Sequence, residues 1–315
     1  MIAKNFKKKK MHTTLTHYFH SSSVGPLFIL ILLVHAMAEP IKLHPIGDST
    51  TEGFEVETVW RYWLYKKLVK NGYDNIDFVG SRRGTKRDTI LSDTAWDMDH
   101  DGHFSSKASQ VLNGNLAREH KGSIKEWAPK FTPHIAVIYL GTNDIRGSRK
   151  TADIIKTFEG IIQVLRDARK EVKIVVCQIP YWDYKRYGGS QSAVDALNAT
   201  LPSLKDLESE ISPVKIVDLN SDYKVSDHRD GIHPDTTGAV KIADRIYETI
   251  VPWVKITAIK KLDVINQSNR TSGKSSLRLT IQDNMPVRVW ISVESGSDFR
   301  NRKGYSITGR KITTQ

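Results

Sequence analysis

Residues 41–53 read Ile41-Lys42-Leu43-His44-Pro45-Ile46-Gly47-Asp48-Ser49-Thr50-Thr51-Glu52-Gly53, an apolar-rich run that breaks into a glycine, an acid and a hydroxyl. The pattern predicts a first strand that ends in a turn, because glycine allows the backbone to bend where a strand stops. In open α/β folds, ligands bind at the carboxyl ends of the strands. Ser49 would therefore lie where a nucleophile is useful, although Gly-Asp-Ser alone is also ordinary turn chemistry.

Two later stretches carry polar residues at further element boundaries. Gly141-Thr142-Asn143-Asp144 follows the apolar run of residues 135–140, and Asp230-Gly231-Ile232-His233 precedes a helical pattern. A serine hydroxyl needs a base to take its proton as it attacks an ester carbonyl, and His233 is the candidate base. Asp230 lies three residues earlier, so its carboxylate can reach the imidazole Nδ1 and fix the tautomer.

The order of these motifs resembles that of the SGNH (GDSL-type) hydrolase family. The chain has a serine after the first strand, an asparagine after a central strand and an Asp-x-x-His near the end. The combination is far more specific than any single motif. Residues 77–81 (Asp-Phe-Val-Gly-Ser) and 97–103 (Asp-Met-Asp-His-Asp-Gly-His) resemble, more narrowly, the carbohydrate esterase branch that contains acetylxylan esterases. The resemblance covers roughly residues 41–254.

The resemblance implies catalytic roles for three residues. Ser49 is the expected nucleophile, His233 the base and Asp230 the acid that orients it, while Asp227 and His228 are the neighbouring alternatives. No Gly-x-Ser-x-Gly occurs in the chain, which argues against an α/β-hydrolase nucleophile elbow.

The same resemblance implies an oxyanion hole. Its donors would be the backbone N–H groups of Ser49 and Ser105 and the side-chain amide of Asn143, with Asp48 and Gly141 in support. Ser105 stands where the family has a glycine, and serine tolerates a positive φ poorly, so this donor depends on the backbone geometry. Asn143 could instead be a turn residue that caps local backbone.

No metal or cofactor is required by this chemistry. The acids and imidazoles of residues 97–103 are potential ligands of divalent ions, but their spacing matches no structured ligand signature. Cys177 is the only cysteine and ends the apolar run of residues 172–177, which predicts a core thiol rather than a catalytic one.

Helical and strand patterns alternate along the chain. We expect helices over residues 58–72, 151–170, 192–211 and 236–251, and strands over residues 41–47, 76–80, 133–140, 172–179 and 214–219. This alternation predicts an α/β fold, a flavodoxin-like three-layer α/β/α sandwich with about five parallel strands.

Two segments between these elements remain open to interpretation. Residues 81–97 are expected to form a polar loop, and Arg61 and Arg82 could reach the cleft, although solvated arginines are commoner. The aromatic and glycine-rich residues 180–192 suit a sugar-stacking loop and a packed surface loop equally well.

The two ends of the chain differ from its body. Residues 1–38 combine lysines, an apolar segment and an Ala-x-Ala site, which predicts a signal peptide and a secreted protein with no stable membrane anchor. The sequons at Asn198, Asn266 and Asn269 agree weakly with export. Residues 257–315 show strand patterns at 277–281 and 287–293, so a hydrolase domain over 39–256 is expected to precede a β-rich module or truncated domain.

Charge is concentrated at those ends. Of the formal net charge of +12, residues 1–38 contribute five lysines and no acid, and residues 257–315 contribute eleven basic and four acidic residues. The body is therefore close to neutral, which argues against nucleic acid as a substrate. The charge of the basic tail, residues 257–315, would allow it to contact an acidic polymer or surface.

These features together predict a secreted serine esterase that removes O-acetyl groups from a carbohydrate, such as an acetylated polysaccharide or oligosaccharide of the xylan type, through an acyl-enzyme. A lipid esterase or lysophospholipase on the same scaffold is the first alternative, and the lack of a long apolar lid leans against it. A carbohydrate-binding protein with a degraded site is the second, which the substitution at Ser105 keeps open.

Overall fold

Strand β1, Ile41–Gly47, lies at the centre of the main sheet. The computed structural model describes residues 39–85, 93–118 and 120–270, together with four strands near the C-terminus, and the predicted signal peptide lies outside these residues. On one side of β1 follow three parallel strands in the order β5, β6, β7. They span Ile135–Tyr139, Lys173–Cys177 and Val214–Val217.

The other edge of β1 is shared by two short parallel strands. Strand β2, Ile76–Phe78, pairs with the start of β1, and β4, Asp99–Gly102, pairs with its last two residues. A two-residue strand β3, Arg82–Arg83, runs antiparallel to β4. If β2 and β4 are counted as one position, the order is that of a flavodoxin-like sheet, so the predicted fold class is confirmed.

The helices form two packed groups. One contains the helices Trp60–Lys70 and Thr236–Arg270, and the other contains Thr151–Ala168 packed against Ala108–Asn113, Ile124–Phe131 and Gln191–Thr200. Every residue of β5 is buried, as expected for a parallel strand that is covered on both faces. The helices are α1 Ser49–Glu52, α2 Trp60–Lys70, α3 Ala108–Asn113, α4 Ile124–Phe131, α5 Thr142–Arg146, α6 Thr151–Ala168, α7 Tyr184–Tyr187, α8 Gln191–Thr200 and α9 Thr236–Arg270, with 3₁₀ turns at Val56–Thr58, Leu201–Leu207 and Val225–Asp227.

The structure departs from the predicted elements at several points, and it adds short helices and the strand β3 that were not predicted. The helix predicted over residues 192–211 stops at Thr200 and continues as a 3₁₀ turn, because Pro202 has no N–H for an α-helical bond. Helix α9 extends to Arg270, beyond the predicted end at residue 251. Strand β4 was not predicted, because its sequence Asp-His-Asp-Gly lacks the apolar alternation of a typical strand.

The C-terminal strands form a separate antiparallel sheet in the order β11-β10-β9-β8. Their bounds are Ser276–Ile281, Val289–Glu294, Tyr305–Thr308 and Lys311–Thr314. The first two contain most of the predicted strand residues, which confirms the β-rich character of this segment. The domain boundary at residue 256 stays a prediction.

Two predictions about single side chains can be checked in the fold. Cys177 is fully buried in β6 and burial raises the pKa of its thiol, which confirms a core role. Asn198 is buried in α8, where its amide donates to the carbonyl of Ile179 and its oxygen accepts from the Ile179 N–H. The first sequon is therefore inaccessible to glycosylation in the folded protein. The side chains of the other two lie outside the described residues.

Within the described part of the chain, no helix is both long enough and apolar enough to cross a membrane.

Candidate active site

Ser49 is the first residue of α1, immediately after β1 ends. The carboxylate of Asp48 caps this helix by accepting the Thr50 N–H at 2.9 Å. Only glycine fits at position 47, because neighbouring atoms lie too close for a side chain. A Cβ there would lie 2.0 Å from the Thr51 Oγ1 and 2.8 Å from a backbone oxygen of β5. The turn thus places the Ser49 hydroxyl at the carboxyl end of the central strand.

Ser49, His233 and Asp230 form one hydrogen-bonded chain. The Nε2 of His233 lies 3.0 Å from the Ser49 Oγ, and the Nδ1 of His233 lies 2.8 Å from the Oδ2 of Asp230. The Oδ1 of Asp230 accepts the backbone N–H groups of Ile232 and His233, at 3.2 and 2.9 Å, so the carboxylate is held by its own loop. Gly231 has a φ of 95°, which allows that loop to turn back. The geometry is that of a nucleophile, a base and an orienting acid.

Two phenylalanines enclose the imidazole of His233. The ring of Phe54 lies 4.7 Å from it edge-on, and the ring of Phe104 lies 5.7 Å from it in a stacked arrangement. Apolar contacts of this kind exclude water from the imidazole and hold it in one orientation. The site is therefore built to keep the base in place.

Burial and hydrogen bonding shift the pKa values of the pair. Burial lowers the pKa of His233, opposed by the hydrogen bond and charge of Asp230. Burial raises the pKa of Asp230, but the hydrogen bonds from His233 outweigh it and leave that pKa below its usual value. At neutral pH the imidazole is neutral and the carboxylate is ionised, as a base and its orienting acid require.

The pH profile of ester cleavage should reflect the lowered pKa of His233. The imidazole accepts a proton from Ser49 only while it is neutral, so activity should fall on acidification with a midpoint below 6.5, the ordinary histidine value. The measurement is kcat/KM for p-nitrophenyl acetate across acid and neutral pH. Arg229→Gln serves as a matched variant, because loss of this nearby positive charge should raise the midpoint. A parent midpoint above 6.5 would contradict the assignment.

The predicted oxyanion residue Ser105 has a φ of 63°, in the left-handed region. The backbone therefore adopts the conformation for which glycine would be the easier residue. Within the described chain, the backbone N–H groups of Ser49 and Ser105 donate to no protein acceptor. Their roles as oxyanion donors stay predictions.

Replacement of Ser105 should separate backbone geometry from side-chain chemistry. Ser105→Gly should keep kcat within about twofold, because glycine adopts a positive φ freely. Ser105→Val should reduce kcat by roughly 10²-fold, because a β-branched residue resists this φ and would misplace the N–H. The measurement is kcat for p-nitrophenyl acetate with both variants shown to be folded. Equal activity of the two variants would show that the conformation at Ser105 does not matter.

Asn143 reaches across the site rather than capping its own turn. Its side-chain amide donates to the Asp48 Oδ2 at 3.1 Å and to the carbonyl of Ser106 at 3.2 Å. It thus joins the nucleophile turn to the loop that carries Ser105. Both amide hydrogens point to protein acceptors, so the oxyanion role of Asn143 also stays a prediction. Gly141, just before it, has a φ of 122° and packs against Leu197.

Asp48 is buried beneath the nucleophile. Burial raises its pKa to about 7, opposed by the hydrogen bond from the backbone of Thr50. It touches Asn143 and the turn, in line with the supporting role that the sequence suggested.

The sequence did not identify Arg61 as a positioning residue. The sequence left open whether Arg61 reaches the cleft or is solvated, as is commoner for arginine, and the structure excludes a solvated side chain because Arg61 is fully buried. Its guanidinium donates to four backbone carbonyls, those of Thr51, Glu52, Gly84 and Met98, at 2.8, 3.2, 2.8 and 2.8 Å. Two of these belong to α1, so Arg61 fixes the helix that carries Ser49.

Glu52, the last residue of α1, connects that helix to the neighbouring loop. Its Oε2 accepts the N–H of Phe104 at 2.6 Å, and its Oε1 accepts from Arg82 at 2.7 Å. Gly102 lies so close to α1 that a Cβ would meet the Glu52 nitrogen at 2.3 Å. These contacts place the loop before Ser105 directly against the nucleophile helix. Nothing in the local sequence indicates them, since the partners are up to 52 residues apart.

The acids and imidazoles of residues 97–103 have structural partners. Asp97 accepts the N–H of Phe78, His100 accepts the N–H of Gly102, and Asp101 lies 2.6 Å from His44. Among the residues the structure describes, no group of three or more such side chains could hold a metal ion.

The neighbouring alternatives to the catalytic pair are engaged elsewhere. Asp227 forms an ion pair with Lys241 at 2.7 Å, and the ring of His228 packs against Tyr223 at 4.9 Å. Burial lowers the pKa of His228 to about 4.

The aromatic side chains of residues 180–192 are buried or half-buried, whereas most other residues of this loop are exposed. Trp182 is buried and donates to the carbonyl of Gly188. The Tyr187 hydroxyl donates to the carbonyl of Asp230, as does the guanidinium of Arg186. The loop thus supports the segment that carries the acid.

Comparison with known proteins gives one family. The model of the GDSL-like lipase/acylhydrolase family matches residues 46–240. A multidomain esterase of Ruminococcus flavefaciens is 24% identical over 230 residues, which are 69% of this chain and 29% of that protein. The chain thus spans less than a third of this curated relative.

Two solved structures are also similar. A carbohydrate esterase of family 3 from Talaromyces cellulolyticus is 27% identical with a TM-score of 0.59, over 68% of this chain and 98% of that one. A mutant acetyl esterase that contains an acetate ion is 26% identical with a TM-score of 0.59 and the same shares covered. Because the family model covers more than half of the chain, and the solved relatives share its fold, the chain belongs to the GDSL-like lipase/acylhydrolase (SGNH) family.

Proposed function

We propose that the chain is a serine esterase that releases acetate from an O-acetylated carbohydrate, such as an acetylated polysaccharide or oligosaccharide of the xylan type. The observation that carries the proposal is the hydrogen-bonded chain from the Ser49 Oγ through His233 to Asp230. The similarity to a family 3 carbohydrate esterase and to an acetyl esterase supports the carbohydrate and the acetyl group.

The first step would be attack of the Ser49 Oγ on the acetyl carbonyl carbon. The Nε2 of His233 takes the hydroxyl proton, and the ionised Asp230 stabilises the imidazolium. The oxygen of the tetrahedral intermediate would accept hydrogen bonds from the N–H groups of Ser49 and Ser105. Collapse breaks the bond to the sugar oxygen, which receives the proton from His233, and leaves an acetyl group on Ser49.

The second step would repeat the chemistry with water. His233 takes a proton from the water as its oxygen attacks the acetyl carbonyl, and returns the proton to the Ser49 Oγ as acetate leaves. Water is the only co-reactant, and the serine is regenerated.

The test is acetate release from acetylated xylan by the purified chain. Chemically deacetylated xylan is the blank, and p-nitrophenyl acetate, p-nitrophenyl palmitate and a lysophospholipid are the comparison substrates. We expect acetate from xylan and from the short ester, with little cleavage of the two lipid-like esters. Cleavage of the lipid-like esters without acetate release from xylan would assign the site to lipids. Failure of folded protein to cleave any ester would favour a carbohydrate-binding role.

We also propose that the protein is secreted, on the basis of residues 1–38. The test is the N-terminal sequence of protein exported by a secreting host. A mature chain that begins near Glu39 is expected, and retention of residues 1–38 on protein inside the cell would contradict export.

A further inference from the structure

Three exposed arginines each donate a hydrogen bond directly to a residue of the proposed site. Arg118 donates through Nε to the Ser105 Oγ at 3.2 Å, and Arg146 donates through Nη1 to the Asn143 Oδ1 at 3.0 Å. Arg186 donates to the carbonyl of Asp230 at 3.0 Å. Three cationic side chains of a near-neutral catalytic body thus contact residues of the proposed site.

Arg118 contacts one short loop directly, and Arg146 is linked to the same loop through Asn143. Arg118 contacts Ser105, whereas Arg146 contacts Asn143, whose amide in turn donates to the carbonyl of Ser106. The adjacent loop residues 105 and 106 therefore connect the two guanidinium groups. This is the loop beside which the acyl oxygen of a substrate would lie.

Aromatic faces hold the two guanidinium groups in place. Arg118 lies 4.8 Å above the ring of Phe104, and Arg146 lies 5.7 Å above the ring of Tyr187. Arg146 is further fixed by donation from Nε to the carbonyl of Tyr187 at 2.9 Å. Such stacking leaves both Nη atoms of Arg118 and the Nη2 atom of Arg146 available to a ligand.

The arginines have unused donors. Within the described chain, neither Arg118 nor Arg146 forms an ion pair with a carboxylate, and neither Nη atom of Arg118 donates to protein. The carboxylates of the site are committed to other partners. Asp230 binds His233. Asp48 accepts hydrogen bonds from Thr50 and Asn143. Burial raises the pKa of Asp48, opposed in part by the nearby charge of Arg146. Arginine binds a carboxylate with two parallel hydrogen bonds when its fork is free.

We infer that Arg118 and Arg146 bind a carboxylate of the substrate, so that the preferred acetyl ester is carried on or beside an acidic sugar, a uronic acid. This inference rests on the proposed acetylesterase function and specifies its substrate class. The carboxylate would lie next to the oxyanion loop and orient the sugar so that its acetyl group meets Ser49.

The test compares an acetylated methyl glucuronoside with its uronamide, which has the same shape without the charge. We expect kcat/KM for acetate release to be roughly fivefold to tenfold higher for the acid at low salt, as for partly exposed charge-assisted hydrogen bonds, and the ratio to fall as salt is raised. Arg118→Gln and Arg146→Gln should each lower the ratio. Lys156→Gln, which removes a positive charge from the exposed side of α6, is the matched control and should leave the ratio unchanged.

The outcomes separate the two proposals. Cleavage of both compounds at equal rates by the parent chain would overturn the uronic acid inference and leave the acetylesterase function intact. An equal loss on both compounds in the arginine variants would assign the arginines to the architecture of the site, and would also overturn the inference. If the folded chain cleaves neither compound and also releases no acetate from acetylated xylan, the acetylesterase function is overturned, and the inference with it.

Discussion

Replacement of Ser49 by alanine should reduce kcat/KM for p-nitrophenyl acetate by roughly 10⁴-fold or more, because the acyl group then has no oxygen to which it can be transferred. The Ser49 Oγ is the atom that lies 3.0 Å from the Nε2 of His233. Alanine is smaller and suits the start of a helix, so we expect the variant to fold. The measurement is kcat/KM beside the parent at the pH of highest activity.

A matched control and a label make the result specific. Ser203→Ala changes an exposed serine in the 3₁₀ turn Leu201–Leu207 and should retain full activity. A fluorophosphonate should phosphonylate the Ser49 Oγ in the parent, with release of fluoride and the hydroxyl proton, and should label no residue in Ser49→Ala. Retention of more than a tenth of the activity by Ser49→Ala would exclude this serine as the nucleophile.

Replacement of Arg61 by methionine should lower the free energy of unfolding by about 3 kcal/mol or more. Four backbone carbonyls lose their donor in a buried place, and each unsatisfied group costs about 1–3 kcal/mol, partly relieved by rearrangement. Activity should fall as well, because two of the carbonyls belong to the helix that holds Ser49. Urea unfolding and kcat/KM measured on the same preparations test both effects.

Arg166→Met is the matched control for Arg61→Met. Arg166 is only half-buried and donates to the hydroxyl and the carbonyl of Ser212. We expect a loss of about 1 kcal/mol without a change in kcat/KM. If Arg61→Met were as stable and as active as Arg166→Met, the carbonyls would have other partners and the positioning role would be wrong.

The sequence predicted the sheet well because buried parallel strands have a plain signature. Residues 135–140 are apolar throughout, and β5 is buried at every position. Strand β4 escaped prediction because its side chains are stabilised by specific partners, such as His44 for Asp101, rather than by apolar burial. Patterns of hydrophobicity contain no signal for such pairs.

The catalytic residues could be predicted from the order of their motifs. The residues that position them could not, because their roles depend on contacts between parts of the chain that are distant in sequence. Ser49, Asp230 and His233 were chosen from the sequence, and the structure brings them within hydrogen-bonding distance. Arg61 looked like an ordinary surface arginine on an amphipathic helix, because its four acceptors are backbone atoms that only the folded chain brings together. The positive φ of Ser105 likewise follows from its surroundings and not from its residue type.

The carboxylate of Glu52 has a consequence for any attempt to transplant this chemistry. It bonds the N–H of Phe104 from the end of the nucleophile helix, so the helix and the loop that precedes Ser105 are held as one body. A designer who grafts only residues 48–53 onto another scaffold would carry over the nucleophile without the rest of its surroundings. The smallest portable unit therefore comprises four segments that are distant in sequence and inseparable in space, namely residues 48–53, Arg61, residues 102–106 and residues 230–233.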